Sequence, residues 1–277
     1  MATSSLFRLA PTPSGLLHLG NAFSFLLTEK LAKKNNAEIL LRIDDSDAER
    51  KRPEYVLDIF ETLDWLEIKY HKGPADPEDF EKNWSQHTRM ELYREALQKL
   101  IVHKRAFACE CTRRQLQAHD GRYPATCEHK NIPLGTDDTS IRLLVKPGTI
   151  VEFTDEHLGE QRIDLDEVGG SFNICRRDGL PSYHLASVVD DVHFGVTHIV
   201  RGIDLLPSTA AQLFLAEKLG GNNFYKTKFY HHILIPDEHG EKLSKSEGAL
   251  SLKTMRDSGM TKADILQRLS SLLEMYH

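Results

Sequence analysis

Three groups of residues in this 277-residue chain have the types and spacing to do chemistry. The first is Pro11-Thr12-Pro13-Ser14-Gly15, followed closely by His18-Leu19-Gly20-Asn21. Gly20 lets a nucleotide come close to the backbone, and His18 can donate to a phosphate oxygen. Gly15 and Gly20 have the glycine spacing of a P-loop, but that motif continues with Lys and then Ser or Thr. Asn21 and Ala22 stand there instead, so the P-loop reading fails. The second group is Glu241-Lys242-Leu243-Ser244-Lys245-Ser246-Glu247-Gly248, a cationic loop suited to a polyphosphate. The third is Cys109-Glu110-Cys111, then Tyr123, Cys127 and His129. Thiolates in this arrangement suit a tetrahedral zinc. By ligand chemistry alone the fourth position falls to His129, because imidazole is a far commoner ligand than phenolate. Cys175 stands apart on an apolar run and reads as core.

The elements that must position these groups follow from the hydrophobic pattern. Leu6, Phe7, Leu9 and Ala10 read as a buried strand that Pro11, Pro13 and Gly15 stop. Phe23, Leu26, Leu27 and Leu31 then recur on one helical face. His18 and Gly20 therefore sit where a strand hands over to a helix N-terminus, a natural seat for phosphate. Ile39–Ile43 reads as a second strand with Asp44, Asp45 and Asp47 at its C-terminal end, the edge where open α/β sheets collect ligands. Helices are expected over Pro53–Leu66 and roughly Phe80–Lys104. The stretch 106–175 changes character, with clustered cysteines and short β-like runs at Ser140–Val145 and Ile150–Phe153, and reads as an insertion. The alternation resumes through Tyr183–Val189, His198–Arg201, a helix at Pro207–Leu219 and the run Phe229–Ile235. The expected class is α/β: a doubly wound parallel sheet split by a zinc-containing insertion, with a short C-terminal helical segment. The segments are 1–105 and 176–240 for the two halves of the nucleotide-binding domain, 106–175 for the insertion, and 241–277 for the lysine loop and terminal helices.

Composition bounds the function classes. A hydrophobic content of 40% and a charged content of 27% are ordinary for a globular protein. A formal net charge of −6 argues against holding nucleic acid by bulk electrostatics, so any RNA contact is expected to be a local basic patch. No basic segment followed by an apolar core opens the chain, and no apolar run approaches a membrane span. Four cysteines, three of them clustered, suit a metal site in a reducing compartment better than disulfides. The expectation is a cytoplasmic protein with no membrane partner.

His-x-Gly early and Lys-Leu-Ser-Lys-Ser late, in that order, resembles the class I aminoacyl-tRNA synthetases. His18–Asn21 matches their HIGH signature, with Asn21 in place of the last histidine, and Lys242–Ser246 matches KMSKS. Arg8–Gly15 resembles the RFAPSPTG of the glutamyl branch, and Leu41–Asp47 its LRIEDTD. Asp178–Asp191 resembles its DGxPxYHLAxVVDD, with Ile199-Val200-Arg201-Gly202 following in register. The resemblance covers nearly the whole chain and implies a Rossmann-like catalytic domain. It further implies that His18, Lys245 and Lys242 act in catalysis, that His18, Gly20, Asn21 and Lys245 bind ATP, and that Mg2+ accompanies the nucleotide. Free L-glutamate carries two carboxylates and one ammonium, so a selective site needs two cations and one anion. By resemblance Arg8 and Arg201 take the carboxylates and Asp44, where the family usually has Glu, takes the ammonium. Tyr183 orients the substrate, and Leu9, Ala10, Pro11 and Thr12 line the pocket.

The cysteine spacing, C-x-C then Y-x3-C, resembles the glutamyl-queuosine tRNA(Asp) synthetases. That resemblance implies Zn2+ held by Cys109, Cys111, Tyr123 and Cys127, with His129 as the rival fourth ligand. About thirty residues follow the lysine loop, where a full glutamyl-tRNA synthetase continues into an anticodon-reading region. The resemblance therefore implies an enzyme, expected to be a monomer, that activates glutamate without tRNA and transfers it to the queuosine base of tRNA(Asp). A truncated glutamyl-tRNA synthetase charging the tRNA 3′ end, a small-molecule adenylyltransferase and a non-catalytic tRNA-binding paralogue are the alternatives.

Overall fold

A computed structural model describes residues 5–119, 122–221, 223–235 and 251–276. Lys242 and Lys245 lie outside the described residues. The first stretch of the chain forms β1 (Leu6–Leu9), α1 (Leu19–Lys34), β2 (Glu38–Leu41), α2 (Pro53–Trp65), the single turn α3 (Pro77–Asp79) and α4 (Met90–Val102). Next come β3 (Ala106–Cys109), α5 (Arg113–Gln117), β4 (Ser140–Leu143), β5 (Ile150–Asp155), β6 (Gly159–Asp164) and β7 (Asn173–Cys175). The last stretch holds α6 (Tyr183–Phe194), β8 (His198–Gly202), α7 (Leu206–Lys218), β9 (Lys228–His232), α8 (Leu252–Asp257) and α9 (Lys262–Glu274). Two units separate: Met1–Thr88 with Val196–Asp204 and Lys228–His277, and Arg89–Gly195 with Leu205–Thr227.

The first unit is built on parallel strands in the order β2-β1-β8-β9. Side chains alternate across a strand, and here the alternation separates a core face from a charged one. Phe7, Leu9, Ile39, Leu41 and Val200 join the apolar core with α1, α2, α8 and α9. Phe7 stacks on its register partner His198 with ring centroids 4.3 Å apart. The helix expected after β1 is present, but it is apolar around more of its circumference than the predicted stripe, with Phe25 and Thr28 buried as well. The C-terminal segment packs against the same helix. Phe23 meets Tyr276 at 5.9 Å, and Lys30 donates to the Leu273 carbonyl at 2.6 Å. Each fully buried Leu or Phe contributes about 1.5–3 kcal/mol, so the terminal helices are part of this core. Among the described residues no helix is long and apolar enough to cross a membrane.

The expected helix over Phe80–Lys104 is broken. A π-helical turn at Phe80–Trp84 ends at Ser85, whose backbone is extended, and α4 starts only at Met90. The cause lies at the end of β2. Asp45 is 1% exposed, and its carboxylate accepts from the Ser85 hydroxyl at 2.7 Å, the Gln86 N–H at 2.8 Å and Lys51 Nζ at 3.1 Å. Leaving the helix satisfies a buried charge, which outweighs one lost helical bond.

The second unit pairs β3-β4-β7 antiparallel and folds β5 and β6 as a hairpin. Helices α4 and α6 are tied at Asp190, fully buried, which accepts from Arg89 at 2.9 and 3.0 Å and from the Tyr93 hydroxyl at 2.8 Å. Removing one partner of such a pair costs about 3–5 kcal/mol. The expected α/β class with a parallel sheet is met.

Candidate active site and metal centre

The turn between β1 and α1 is fixed from both ends. His18 is the N-cap of α1: its Nδ1 accepts from the Gly20 N–H at 3.1 Å, and its own N–H donates to Asn21 Oδ1 at 2.9 Å. An N–H can only donate, so Nδ1 carries the lone pair and the ring proton of the neutral imidazole is on Nε2. The ring is therefore set to donate from Nε2. Gly20 favours this arrangement, since a Cβ there would lie 3.0 Å from His18 Cε1 and 3.1 Å from Nδ1 and would press the ring to shift. Asn21 closes the reciprocal half of the capping box, a role the sequence comparison with HIGH does not reveal. The Gly20 N–H is committed to His18. An anion at this helix end would thus meet the Nε2–H and the helix dipole more than free amides.

Just before it, Leu17 is gripped on both sides of its peptide. Its N–H donates to Asp58 Oδ2 at 3.1 Å, and its carbonyl accepts from the Leu252 N–H at 2.8 Å. Asp58, 1% exposed, also accepts from Arg256 at 3.3 Å, and Arg256 bonds Glu61 at 2.6 Å and Thr62 at 3.2 Å. Ile235 and Leu252 flank the lysine loop in sequence, and both belong to the core cluster that contains Leu17.

Beyond the turn, arginines gather on the sheet face opposite the core. Arg8 is aligned with Leu40, which places Arg42 on the same face further along β2. Phe7 is aligned with His198, and continuing that parallel ladder sets Arg201 beside Ala10, on the face of Arg8. All three are buried, at 6%, 2% and 4% exposure. Asp44, also buried, accepts from Arg42 at 2.6 and 3.0 Å. Guanidinium groups and a carboxylate thus share this face, which suits a ligand that carries both carboxylates and an ammonium. The Arg201 guanidinium lies over the Phe229 ring at 5.4 Å. Arg42 was not singled out from the sequence, because it reads as one charge inside an apolar run. The alternation of Leu40 and Arg42 against Arg8 is the signal that finds it.

The residues expected to line the pocket divide. Ala10 shares the face of Arg8, the Pro11 carbonyl accepts from the Asp44 N–H at 2.9 Å, and Thr12 is exposed. Leu9 turns its side chain into the core, and its carbonyl accepts from the Arg42 N–H. Tyr183 belongs to the second unit. It is the first residue of α6, 41% exposed, following the N-cap Ser182. A tight turn sets that cap: Arg176 N–H bonds the Leu180 carbonyl, Gly179 takes φ 79°, and Ser182 N–H bonds the Ile174 carbonyl.

In the second unit the sulfur atoms of Cys109, Cys111 and Cys127 lie within 4.8 Å of one another, all buried. Tetrahedral zinc with Zn–S bonds of about 2.3 Å sets its sulfurs about 3.8 Å apart. The Cys111 and Cys127 sulfurs are 3.6 Å apart, so the donor set fits such an ion. The Tyr123 hydroxyl oxygen accepts from the Cys127 N–H at 2.7 Å, which brings the phenol into the same buried cluster. His129 is exposed and is not among the grouped ligand atoms. Burial pushes the Cys111 thiol up to about 11 and raises Tyr123 as well. Burial also opposes the Cys127 thiolate, but bonds to it from the Glu110 N–H and from Cys111 bring its pKa below the usual value. A divalent cation would overcome the burial cost by stabilising the thiolates directly. Cys175 is buried in β7, apart from the trio.

Comparison with known proteins shows the family. Residues 6–272 match the family of tRNA synthetases class I (E and Q), catalytic domain. A glutamyl-Q tRNA(Asp) synthetase of Nitratidesulfovibrio vulgaris is 34% identical over 97% of this chain and 86% of its own length. A glutamate–tRNA ligase of Sulfurihydrogenibium sp. is also 34% identical, over 96% of this chain, but the chain spans only 57% of that longer relative. The crystal structure of a glutamate tRNA ligase from Elizabethkingia meningosepticum, in complex with its amino acid, shares the fold with a TM-score of 0.72 at 24% identity. It covers 93% of this chain and 54% of its own.

Proposed function

The chain belongs to the class I tRNA synthetases of the E and Q group, and on that premise we propose that it is a tRNA-modifying ligase for L-glutamate. It activates glutamate with ATP in the absence of tRNA and passes the glutamyl group from the adenylate to the queuosine base of tRNA(Asp), with AMP as the leaving group. In the first step a glutamate carboxylate oxygen attacks the α-phosphorus of ATP. The bond from that phosphorus to the bridging oxygen of the β-phosphate breaks, leaving glutamyl-adenylate and pyrophosphate. Arg8 and Arg201 hold the carboxylates, Asp44 (oriented by Arg42) holds the ammonium, and Tyr183 orients the amino acid. His18 donates from Nε2 to the phosphates beside Gly20 and Asn21. Lys245, with Lys242, stabilises charge on the transferring centre, the usual source of rate in phosphoryl chemistry. Mg2+ would accompany ATP and neutralise its phosphates. Zn2+ would be held by Cys109, Cys111, Tyr123 and Cys127 as a closed structural site that braces the insertion 106–175 for tRNA. The protein acts as a cytoplasmic monomer.

The observation that carries the reading is the charged sheet face, where buried Arg8, Arg42 and Arg201 gather with Asp44 beside the His18 turn. Support for queuosine over the 3′ end is the cysteine–tyrosine spacing and the similarity to a protein named glutamyl-Q tRNA(Asp) synthetase. The test is glutamate-dependent ATP–pyrophosphate exchange without tRNA. Exchange that requires glutamate supports activation, and glutamylation of queuosine-containing tRNA(Asp), absent from tRNA lacking that base, supports the acceptor. Exchange that appears only with tRNA favours a glutamate–tRNA ligase, the reading that the second relative favours. ATP binding with no exchange at all would sink the catalytic reading.

A further inference from the structure

A buried cation stands beside the three thiols. In the antiparallel register of β3 and β4, Cys109 pairs with Ser140 and Phe107 with Arg142, so Arg142 shares a face with Cys109. Its Nε donates to Cys109 Sγ at 3.2 Å, and Nη1 donates to the Ser171 carbonyl at 2.8 Å. Its guanidinium carbon lies 4.6 Å from the centre of the Tyr123 ring. Arg142 is 7% exposed, and among the described residues no carboxylate lies within ion-pair distance of it.

A guanidinium withdrawn from water needs compensation. A carbonyl, a ring face and a neutral thiol supply little of it. Charge arithmetic supplies the rest. Three thiolates on a divalent cation sum to one negative charge, and Arg142 balances it at hydrogen-bond distance from one of the sulfurs. The same side chain covers the face of Tyr123, so it holds two of the four donors in place at once.

We propose that Arg142 is the charge-balancing and positioning residue of the metal centre: it bonds the Cys109 thiolate, covers Tyr123, and thereby sets the affinity and closure of the site for a divalent metal such as zinc. The inference rests on the metal reading given above. An N–H···S bond of this kind withdraws electron density from the thiolate. It leaves Cys109 slower to react with alkylating agents, while the balanced charge and the held donors leave the metal slower to leave.

The experiment titrates full-length chain, stripped by chelator, with Co(II), and follows the ligand-field and thiolate-to-cobalt bands. Zn(II) competition then gives the zinc affinity. Wild type is expected to take one metal per chain. Arg142→Met should bind about 10–100-fold more weakly, with a shifted thiolate band and faster loss to chelator. Arg142→Lys, which keeps the charge but not the planar fork, should fall between them. Because Arg142→Met could fold poorly, melting is compared for each variant with metal and with excess chelator. The proposal expects the metal-dependent rise in Tm to shrink, beyond any loss in the stripped protein. Affinity, bands and metal-dependent rise all within twofold of wild type in Arg142→Met would make Arg142 a mere strap between strands and overturn the inference alone. A wild type that binds no Co(II) would overturn the metal reading and the inference together.

Discussion

The two sites of this molecule are held together by opposite means. At the β1–α1 turn every group that fixes the geometry is supplied by the chain: His18 caps α1, Asn21 answers it, and Asp58 and Leu252 clamp Leu17. Nothing has to bind for the imidazole to be aimed. At the cysteine cluster three thiols and a phenol are packed within a few ångströms, and burial pushes Cys111 and Tyr123 away from the charged forms a metal needs. The first site is preorganised by hydrogen bonds. The second would be completed by a bound metal, which would make metal binding and local folding one equilibrium. A rigid site and a ligand-dependent one can thus share a chain, provided they sit in separate units.

The sharpest test of that contrast is to remove a group proposed to act only on the reacting centre. Lys245→Ala should lower kcat for glutamate-dependent pyrophosphate exchange by about 10²–10³-fold, while leaving Tm and metal content unchanged. Arg201→Met should cost about 10–100-fold in kcat/KM for glutamate, with the affinity for ATP unmoved, since a charge-assisted bond contributes about 1.5–3 kcal/mol. Chelation should do the reverse. Stripping the metal is expected to lower Tm and expose Cys109, Cys111 and Cys127 to thiol reagents. Pyrophosphate exchange should keep most of its rate while transfer to tRNA falls. Parallel loss of both activities on chelation would mean the two units are not independent in function.

Smaller changes sharpen the picture of the turn. Gly20→Ala should displace the His18 ring and cost roughly tenfold in exchange, about 1.4 kcal/mol, with little change in Tm. The smallest effect concerns His232, whose Nε2 lies 2.5 Å from Ser24 Oγ and whose pKa burial holds below 6.5. A depressed folded pKa means its contribution is whole above about pH 6.5 and is lost as pH falls below it. Wild type should therefore lose Tm between about pH 7 and pH 5.5 more steeply than His232→Gln, as read by melting across that range.

Much of this was legible in the sequence, and the limits have physical causes. Ile39–Ile43 and the helix after Gly20 announce themselves because local alternation and periodicity encode which face is buried. The cysteine trio was legible because ligand chemistry needs those atoms together. The choice between Tyr123 and His129 was not, because spacing leaves both within reach, and only the fold turns one inward and leaves the other exposed. The break at Ser85 was invisible for a different reason. Its cause, Asp45, lies 40 residues earlier, so no local window contains both. Leu9 shows the same limit on a smaller scale. The motif places it at the pocket, while the pleat turns its side chain the other way.

The clamp on Leu17 also has a history within each molecule's lifetime. Asp58 and its partner Arg256 are 198 residues apart in sequence, and the carbonyl of Leu17 waits for the amide of Leu252. Contacts of such separation form late, because the loop they close must first be ordered. As the ribosome delivers the chain from its N-terminus, β1 and α1 emerge long before the helices that lock them. The nascent protein thus carries its histidine cap early, while the clamp on Leu17 closes only once the chain has been made through α8.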